Sequence, residues 1–337
     1  MIKEAISQVI SGKSLTMSEA SQVMVEIMEG QVTPAQFGAF VTALRLKGET
    51  VEEIAGMAQT MRSKAIRVII DEPVIDTCGT GGDNSATFNI STAAAFVVAG
   101  AGLKVAKHGN RAMSSKCGSA DVLEALGVKI DLTAEQVQLC LKEIGIGFMF
   151  APSFHPAMKF ASAPRKEIGI RTVFNILGPL TNPAGAQAQV LGVADQSLVE
   201  KMAKVLQLLD CKHALVVHSE DGLDELTITG KTYICELSNN NLQNYSITPE
   251  EVGLPRANIN DLKGGNAAEN ALLMRDILSG KTKHAMNAVL LNAAGALKAA
   301  ERVETLADGV RFARGCIGTG RALEKLNGLI ELTKIFK

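Results

Sequence analysis

The stretch from Asp76 to Ser119 constrains the fold of this chain more than any other, because it supplies hydrogen-bond donors after each of two predicted strands. Residues 74–75 predict a short buried strand that runs into the sequence GTGGD at 79–83. Three glycines in that loop allow a sharp turn and leave bare backbone N–H groups. Such a cradle suits a phosphate group.

The second half of the stretch repeats this arrangement. The sequence NIST at 89–92 precedes a small-residue helix predicted over 93–101, whose free N–H groups point back toward the glycine loop. A strand predicted over 103–106 then leads into KHGNR at 107–111 and the hydroxyls at 114–115. The sequence therefore predicts two anion-binding loops side by side.

The glycine loop has three other possible interpretations: a dinucleotide-binding loop, a Walker loop and a turn without a ligand. A dinucleotide fingerprint requires a third glycine where this chain has Asn84, and no acidic residue ends the second strand. A Walker loop requires a GK[ST] tripeptide, which the chain lacks. A turn without a ligand is the usual explanation for one such loop. Two donor-rich loops together favour an anion site.

The pattern along the chain predicts an α/β fold with two domains. Residues 1–67 are predicted to form an all-helical domain, completed by about 166–187, with helices at 2–10, 18–28, 34–46 and 51–61. Short β-branched strands then alternate with helices, which indicates a central, mostly parallel sheet flanked by helices. This larger α/β domain is predicted to comprise 68–165 and 188–337, with a hairpin over 226–236 and an exposed polar run at 238–244.

Composition and charge exclude several classes of protein. The chain has 337 residues, 47% of them hydrophobic, and its 34 basic and 35 acidic residues leave a formal charge of −1. No overall field favours nucleic acid or an anionic membrane. The apolar runs are too short to span a bilayer, and MIKEAISQVI lacks the apolar core of a signal peptide. We expect a cytoplasmic protein with reduced cysteines and no nucleic-acid or membrane partner.

Three later features are candidates for the opposite side of a cleft. The segment 151–159, which contains His155, follows a strand predicted over 147–150, and ligands in α/β sheets collect where strands end. Arg165 comes before a helix predicted over 170–177, and its planar fork suits a carboxylate. Asp224 and Glu225 follow another strand. Such carboxylates are commonly solvated loop charges, but a polyphosphate substrate requires a divalent metal such as magnesium.

Several words of the sequence resemble the anthranilate phosphoribosyltransferases, which join a phosphoribosyl group to anthranilate in tryptophan biosynthesis. They are GTGGD, NIST and KHGNRAMSSKCGSADVLEALG, and the likeness continues through GGNAAENA and VLLNAAGAL. It covers roughly the whole chain. More distant relatives of that family are the pyrimidine nucleoside phosphorylases, so a nucleoside phosphorylase-like enzyme and a non-enzymatic nucleic-acid-binding relative are the alternatives.

The resemblance implies a set of substrate and metal ligands. Residues for anthranilate are Gly79, Asn110, His155 and Arg165, and residues for two Mg²⁺ ions are Ser91 on one and Asp224 with Glu225 on the other. The residues implied for phosphoribosyl pyrophosphate are Gly79, Gly82, Asp83, Thr87, Asn89, Ile90, Ser91, Thr92, Lys107, His108, Gly109, Asn110, Arg111, Ala112, Met113, Ser114, Ser115 and Ser119.

The resemblance also implies a homodimer formed through the helical domain. The helical stripes contain more apolar surface than one thin layer can bury, which is compatible with a second subunit or with packing on the parent chain. One position departs from the family, because Phe154 stands where many relatives have the first of two histidines. The amine of anthranilate is neutral at physiological pH, so we expect no dedicated catalytic acid or base.

Overall fold

The computed structural model describes residues 1–83, 85–112 and 116–336. Within these residues, seven strands form one sheet in the order β3-β2-β1-β4-β5-β6-β7. Strands β1 to β5 are parallel to one another. Strand β6 pairs with β5, and β7 with β6, both in antiparallel orientation. The strands are β1 Val74–Gly79, β2 Lys104–Gly109, β3 Ile146–Phe150, β4 Ala188–Gly192, β5 His213–Ser219, β6 Thr232–Ser238 and β7 Asn241–Ile247.

Helices precede the sheet and cover both of its faces, so the predicted fold class is confirmed. Four of them come before β1, namely α1 Ile2–Ile10, α2 Met17–Met28, α3 Pro34–Lys47 and α4 Val51–Lys64. The others are α5 Ile90–Gly100, α6 Ser119–Leu126, α7 Ala134–Glu143, α8 Ala151–Phe154, α9 Lys159–Ile168, α10 Phe174–Leu177, α11 Leu198–Leu208, α12 Ala267–Leu278, α13 His284–Ala299, α14 Leu306–Gly318 and α15 Arg321–Lys334.

Local sequence accounts for where the N-terminal helices begin. The side chains of Thr16, Thr33 and Thr50 each accept a hydrogen bond from the backbone N–H three residues later. The glutamate or glutamine side chain at that later position accepts in turn from the backbone N–H of the threonine. These capping boxes satisfy backbone donors that would otherwise lack partners. Pro34 occupies the first turn of α3, where its missing N–H costs nothing.

The sheet separates two hydrophobic cores. One face packs against α5 and α13. The other face packs against α11, which in turn contacts α4. The short helix α10 also packs on α4, and its buried Phe174 lies against Phe37 of α3. Arg62 of α4 strengthens this contact by donating to the carbonyls of Leu180 and Leu209, at 2.6 and 3.0 Å. The division of the chain into two domains stays a prediction.

The structure differs from the sequence prediction in two segments. The helix predicted over 170–177 is shorter, at Phe174–Leu177, and an unpredicted helix covers Lys159–Ile168 despite an internal proline, Pro164. The hairpin predicted over 226–236 is wrong. The hairpin is formed instead by β6 and β7. Asn239 and Asn240 form its two-residue turn, with the positive φ values of 49° and 60° that such a turn favours. The polar run is therefore the turn and the first part of β7, an edge strand whose exposed face tolerates polar residues.

No helix in the described part of the chain combines the length and the apolar character needed to cross a bilayer.

Candidate active site

The site residues meet at the carboxyl edge of the parallel strands. Gly79 at the end of β1 pairs with Gly192 of β4, and Gly109 at the end of β2 pairs with Phe150 of β3. The chain adds β2 and β3 on one side of β1 and then returns to add β4 on the other. This change of direction opens a crevice between β1 and β4, where ligands of α/β sheets commonly bind.

The glycine loop surrounds an acidic side chain in that crevice. Gly81 and Gly82 have φ of 65° and 79°, a backbone conformation that glycine adopts without strain. The N–H of Gly81 donates to Asp224 Oδ2 at 2.7 Å. Gly79 and Gly192 both lie against Asp224, and a Cβ at either position would overlap it. The absence of side chains at the two strand ends therefore makes room for this carboxylate.

The start of α5 brings the three predicted metal ligands together. The N–H of Ser91 donates to Glu225 Oε1 at 3.1 Å, and Thr77 Oγ1 donates to the carbonyl of Ser91 at 2.9 Å. Asn89 caps the helix by position, but its side chain makes no capping hydrogen bond. Of the other residues predicted to bind the donor substrate, Thr87 forms an isolated bridge with Lys263, and Ile90 and Thr92 are buried in the first turn of α5.

A buried lysine lies beneath this cluster. Lys107 is only 3% exposed, and its Nζ donates to the carbonyl of Thr77 and lies 3.4 Å from Ser91 Oγ. Burial raises the pKa of Glu225 well above its usual range, the charge of Asp224 raises it further, and Lys107 opposes both. Burial and the neighbouring Asp83 raise the pKa of Asp224 to about 7. A divalent cation would stabilise the charged forms of both acids.

The donor atoms of this cluster fit magnesium. Asp224, Glu225 and Ser91 offer carboxylate and hydroxyl oxygens, the hard ligands that Mg²⁺ prefers. Among the described residues, no group of three or more histidine, cysteine, aspartate and glutamate side chains is arranged to hold a metal. Phosphate oxygens and water would therefore complete the coordination shell, as is usual for Mg²⁺ in phosphate sites.

The loop after β2 is fixed at both ends by one aspartate. Asp121 accepts from the N–H groups of Ala112 and Gly118, at 3.0 and 2.8 Å. Arg111 pairs with Asp121 and Glu124, so its charge is already partly neutralised. Asn110 and Ser119 lie at the two ends, where Ser119 Oγ donates to the carbonyl of Asn110 at 3.2 Å. The predicted ligands Met113, Ser114 and Ser115 lie outside the described residues.

Two buried histidine rings lie side by side, one at the end of β2 and one directly after α8. The rings of His108 and His155 lie 5.1 Å apart between centroids, and both residues are buried. Burial lowers the pKa of His108 to about 3 and that of His155 to about 4, so both rings are neutral at physiological pH. Among the described residues, Nε2 of His108 has no hydrogen-bond partner, whereas the backbone of Thr181 lies beside the His155 ring and favours its protonated form. A buried polar atom without a partner commonly faces a ligand or water.

Arg165 lies on α9, near the helical side of the molecule. Its guanidinium lies 5.4 Å from the centre of the Phe174 ring, and Nη2 is 3.5 Å from the Phe174 carbonyl. Partial burial lowers its pKa. No carboxylate within the described ranges lies within 4 Å of it, so its charge is free for an anion. Within the described ranges, the hydrogen bond and the ring contact of Arg165 both go to Phe174, and neither reaches Asn110 or His155.

Four residues of the site were not predicted from the sequence. Arg171 Nη2 donates to the carbonyl of Gly81 at 2.8 Å. Gly192 ends β4 and lines the crevice. Asp76 is fully buried beside Lys107, and Asn182 donates to it at 2.7 Å. Burial raises the pKa of Asp76 to about 6, while Lys107 lowers it. Nothing in the sequence pairs residues as distant as Asp76 and Asn182.

Comparisons with known proteins agree along the whole chain. Residues 3–65 match the helical bundle domain of the glycosyl transferase family, and residues 71–323 match its a/b domain. The chain is 57% identical over 336 residues to the anthranilate phosphoribosyltransferase of Dehalococcoides mccartyi, covering 99% of this chain and 98% of the relative.

Solved structures show the same similarity. The anthranilate phosphoribosyltransferase of Thermus thermophilus superposes with a TM-score of 0.93 at 44% identity, over 98% of this chain and 99% of that one. The Saccharomyces cerevisiae enzyme in complex with PRPP (phosphoribosyl pyrophosphate) and Mg gives a TM-score of 0.92 at 28% identity, over 99% of this chain and 98% of that one. Another structure of the yeast enzyme contains 4-fluoroanthranilate.

Proposed function

This chain belongs to the anthranilate phosphoribosyltransferases of the glycosyl transferase family, and from that premise we propose how its site carries out the reaction. The enzyme transfers the 5-phosphoribosyl group of phosphoribosyl pyrophosphate to the amine of anthranilate. The products are N-(5-phosphoribosyl)anthranilate and pyrophosphate. One observation carries this assignment to the residues: Ser91, Asp224 and Glu225 meet beside a glycine loop at the point where the sheet changes direction.

The donor half of the site comprises the two loops after β1 and β2. Phosphoribosyl pyrophosphate would bind to the N–H groups of the glycine loop and to the start of α5, with Lys107 as a fixed positive charge. Lys107 is held by the Thr77 carbonyl and so needs little reorganisation when negative charge develops on the leaving group. The full predicted set of phosphoribosyl pyrophosphate ligands belongs to this proposal.

Two Mg²⁺ ions would be held near the leaving group, one by Asp224 and Glu225 and one by Ser91. When bound, they neutralise the negative charge of the pyrophosphate. The geometry supports the assignment, because the Ser91 N–H donates to Glu225 Oε1 and the adjacent Asp224 accepts from the Gly81 N–H, so the carboxylates lie beside the glycine loop and the start of α5. The magnesium in the yeast complex supports it as well.

The acceptor half would hold anthranilate between Gly79, Asn110, His155 and Arg165. The Arg165 guanidinium has no carboxylate partner among the described residues and can pair with the carboxylate of anthranilate through two parallel hydrogen bonds. His155 and His108 are neutral at physiological pH, so they offer an apolar surface with hydrogen-bonding edges and add no charge. Phe154 is buried, so the side chain that stands in place of the family's first histidine is not part of this proposed surface.

No residue is needed as a dedicated acid or base. The aromatic amine is already neutral, and breaking the bond from the anomeric carbon to pyrophosphate builds positive charge on the ring and negative charge on the leaving group. Rate enhancement would come from stabilising the leaving group and from orienting the amine toward the anomeric carbon. The proton released by the amine after bond formation can pass to solvent or to pyrophosphate.

We also propose that the enzyme is a cytoplasmic homodimer whose subunits meet through α1 to α4. Exposed Ile10 and Leu46 on α1 and α3 support this, at 69% and 83% exposure. Analytical ultracentrifugation of the wild type and of a variant with both residues changed to serine tests it. A monomeric wild type would contradict the proposal.

The test of the activity is an assay that follows the loss of anthranilate fluorescence with phosphoribosyl pyrophosphate and MgCl₂. We expect turnover that stops when EDTA is added and resumes with excess Mg²⁺. A nucleoside phosphorylase would instead consume a pyrimidine nucleoside and inorganic phosphate, with no loss of rate in EDTA. Turnover of the nucleoside and none of anthranilate would overturn the proposal.

A further inference from the structure

The C-terminal part of the chain contains a buried asparagine that reaches the donor loops. Asn270 lies in the first turn of α12 and is 2% exposed. Its Oδ1 accepts from the N–H of Gly265 at 2.7 Å, and its Nδ2 donates to Asn89 Oδ1 at 3.1 Å. Both ends of its amide are therefore used, which fixes the orientation of the side chain.

Asn89 extends this chain of hydrogen bonds to the second loop. Its Nδ2 donates to the carbonyl of Cys117 at 3.1 Å. Asn89 is the residue before α5, and Cys117 precedes Gly118, the residue before α6. Two amide side chains thus connect the ends of both anion-binding loops to α12.

The connection changes what Asn89 does locally. An asparagine in this position usually caps its own helix by accepting from the second or third backbone N–H. Here Asn89 makes no such bond, because its oxygen accepts from Asn270 and its nitrogen donates to Cys117. The N–H groups in the first turn of α5 are therefore not occupied by the Asn89 side chain.

The segment before α12 holds the same loop from a second direction. The Gly264 N–H donates to the Ala86 carbonyl at 2.9 Å, and the Phe88 N–H donates to the Leu262 carbonyl at 3.1 Å. A Cβ on Gly264 would come within 2.7 Å of the Phe88 backbone. The word GGNAAEN at 264–270 is therefore packed directly against the chain that leads into Asn89.

We propose that Asn270 is a positioning residue for phosphoribosyl pyrophosphate, acting through Asn89 to hold the ends of the two donor loops in one arrangement. Asn270 touches neither substrate in this proposal, which rests on the proposed function of the loops. Its loss would leave Asn89 free to rotate toward its own helix. Binding of the donor would then have to include the free energy of ordering both loop ends.

The test uses Asn270→Ala in the full chain, with Asn270→Ser as the second variant should the alanine variant not fold. Asn287→Ala is the matched control, because Asn287 is also a buried asparagine, on α13, and its side chain contacts Arg314. Calorimetric titration with phosphoribosyl pyrophosphate and Mg²⁺, without anthranilate, should show binding weakened about tenfold in Asn270→Ala, as expected for one buried hydrogen bond. The control should bind like the wild type, and the KM for anthranilate should change less than twofold.

Two further measurements separate positioning from general loss of structure. Asn89→Ala and the double variant should bind the donor equally weakly, because Asn270 acts through Asn89. Hydrogen exchange without ligand should be faster at residues 89–92 and 117–119 in Asn270→Ala and unchanged there in the control.

The proposal would be overturned if the effects of the two single substitutions multiplied in the double variant. It would also be overturned if Asn270→Ala had the hydrogen exchange and the donor affinity of the wild type. If the wild type itself bound no phosphoribosyl pyrophosphate, the proposed function would fail, and the exchange measurement would still report on Asn270.

Discussion

Arg171 donates from Nη2 to the carbonyl of Gly81 at 2.8 Å, and so it joins the segment between α9 and α10 to the glycine loop after β1. The loop on one side of this contact belongs to the donor half of the site. The segment on the other side follows the helix that carries Arg165. The contact is thus a direct link between the two proposed halves of the site.

Replacing Arg171 by alanine should loosen the glycine loop. We expect the KM for phosphoribosyl pyrophosphate to rise about two- to fivefold, because one exposed hydrogen bond contributes about 0.5–1 kcal/mol. Lys166→Ala is the control, since Lys166 is an exposed cation on α9 that has no ion pair among the described residues. Steady-state kinetics at saturating anthranilate provide the measurement, and equal KM values for Arg171→Ala and the wild type would contradict it.

Arg165 should determine the recognition of the acceptor carboxylate. Arg165→Ala is expected to raise the KM for anthranilate by about 50-fold, since a charge-assisted hydrogen bond contributes about 1.5–3 kcal/mol. The KM of Arg165→Lys for anthranilate should lie between those of the wild type and Arg165→Ala, because an ammonium group keeps the charge but cannot form the bidentate pair. Anthranilamide lacks the negative charge, so its KM should differ little between the wild type and Arg165→Ala. An unchanged preference for anthranilate over anthranilamide in Arg165→Ala would sink the assignment.

Glu225 should set the requirement for magnesium. In Glu225→Gln we expect the Mg²⁺ concentration for half-maximal rate to rise at least about tenfold, because a neutral amide binds Mg²⁺ more weakly than a carboxylate does. Mn²⁺ binding, followed by electron paramagnetic resonance, checks this without catalysis. The control is Glu220→Gln, at an exposed position in the same loop whose carboxylate accepts from the Lys231 N–H. Identical Mn²⁺ affinity in Glu225→Gln and the wild type would rule out the assignment.

Gly192 should be intolerant of any side chain. A Cβ there would overlap the backbone of Asp224, which cannot rotate away as a side chain could. We expect Gly192→Ala to lower the free energy of unfolding by about 1–3 kcal/mol and to weaken Mn²⁺ binding. Gly315→Ala is the control, because no atom lies within 4 Å of the added Cβ on α14. Urea unfolding measures the stability of the two variants, and electron paramagnetic resonance measures their Mn²⁺ binding. Equal stability of Gly192→Ala and Gly315→Ala would show that the crevice can widen freely.

Glu236 should make the protein sensitive to acid at a point outside the site. Although burial raises its pKa, hydrogen bonds from His213, Tyr245 and Lys298 lower it to about 2. The unfolded chain has a value near 4.5, so Glu236 stabilises the fold above pH 4.5, and this contribution is lost as the pH falls toward 2.

Glu236→Gln should therefore cost about 2 kcal/mol at pH 7 and much less below pH 3. Thermal unfolding across that pH range is the measurement. Glu331→Gln, which removes an exposed pair with Lys334, should change stability by less than about 0.5 kcal/mol at any pH. A cost of Glu236→Gln that did not depend on pH would contradict the explanation.

Local patterns predicted the elements of the fold well. A threonine before a first-turn proline marked the start of α3 and a capping box marked that of α4, and alternating strands and helices predicted the parallel sheet. The prediction failed where tertiary packing overrides local preference. A helix formed through Pro164, and the polar run at 238–244 became part of a hairpin because an edge strand needs only one apolar face.

The sequence by itself determined the residue types of the site, since a glycine loop, a lysine after a strand and adjacent carboxylates can be recognised in short segments of sequence. It also determined the class of ligand, because two donor-rich loops require an anion. Only the tertiary structure decided which distant residues meet: Gly192 and Asp224 in the crevice, Arg171 on Gly81, and Asn270 on Asn89. The reason is that these contacts join residues far apart in sequence, which become neighbours only when the order of the strands is fixed.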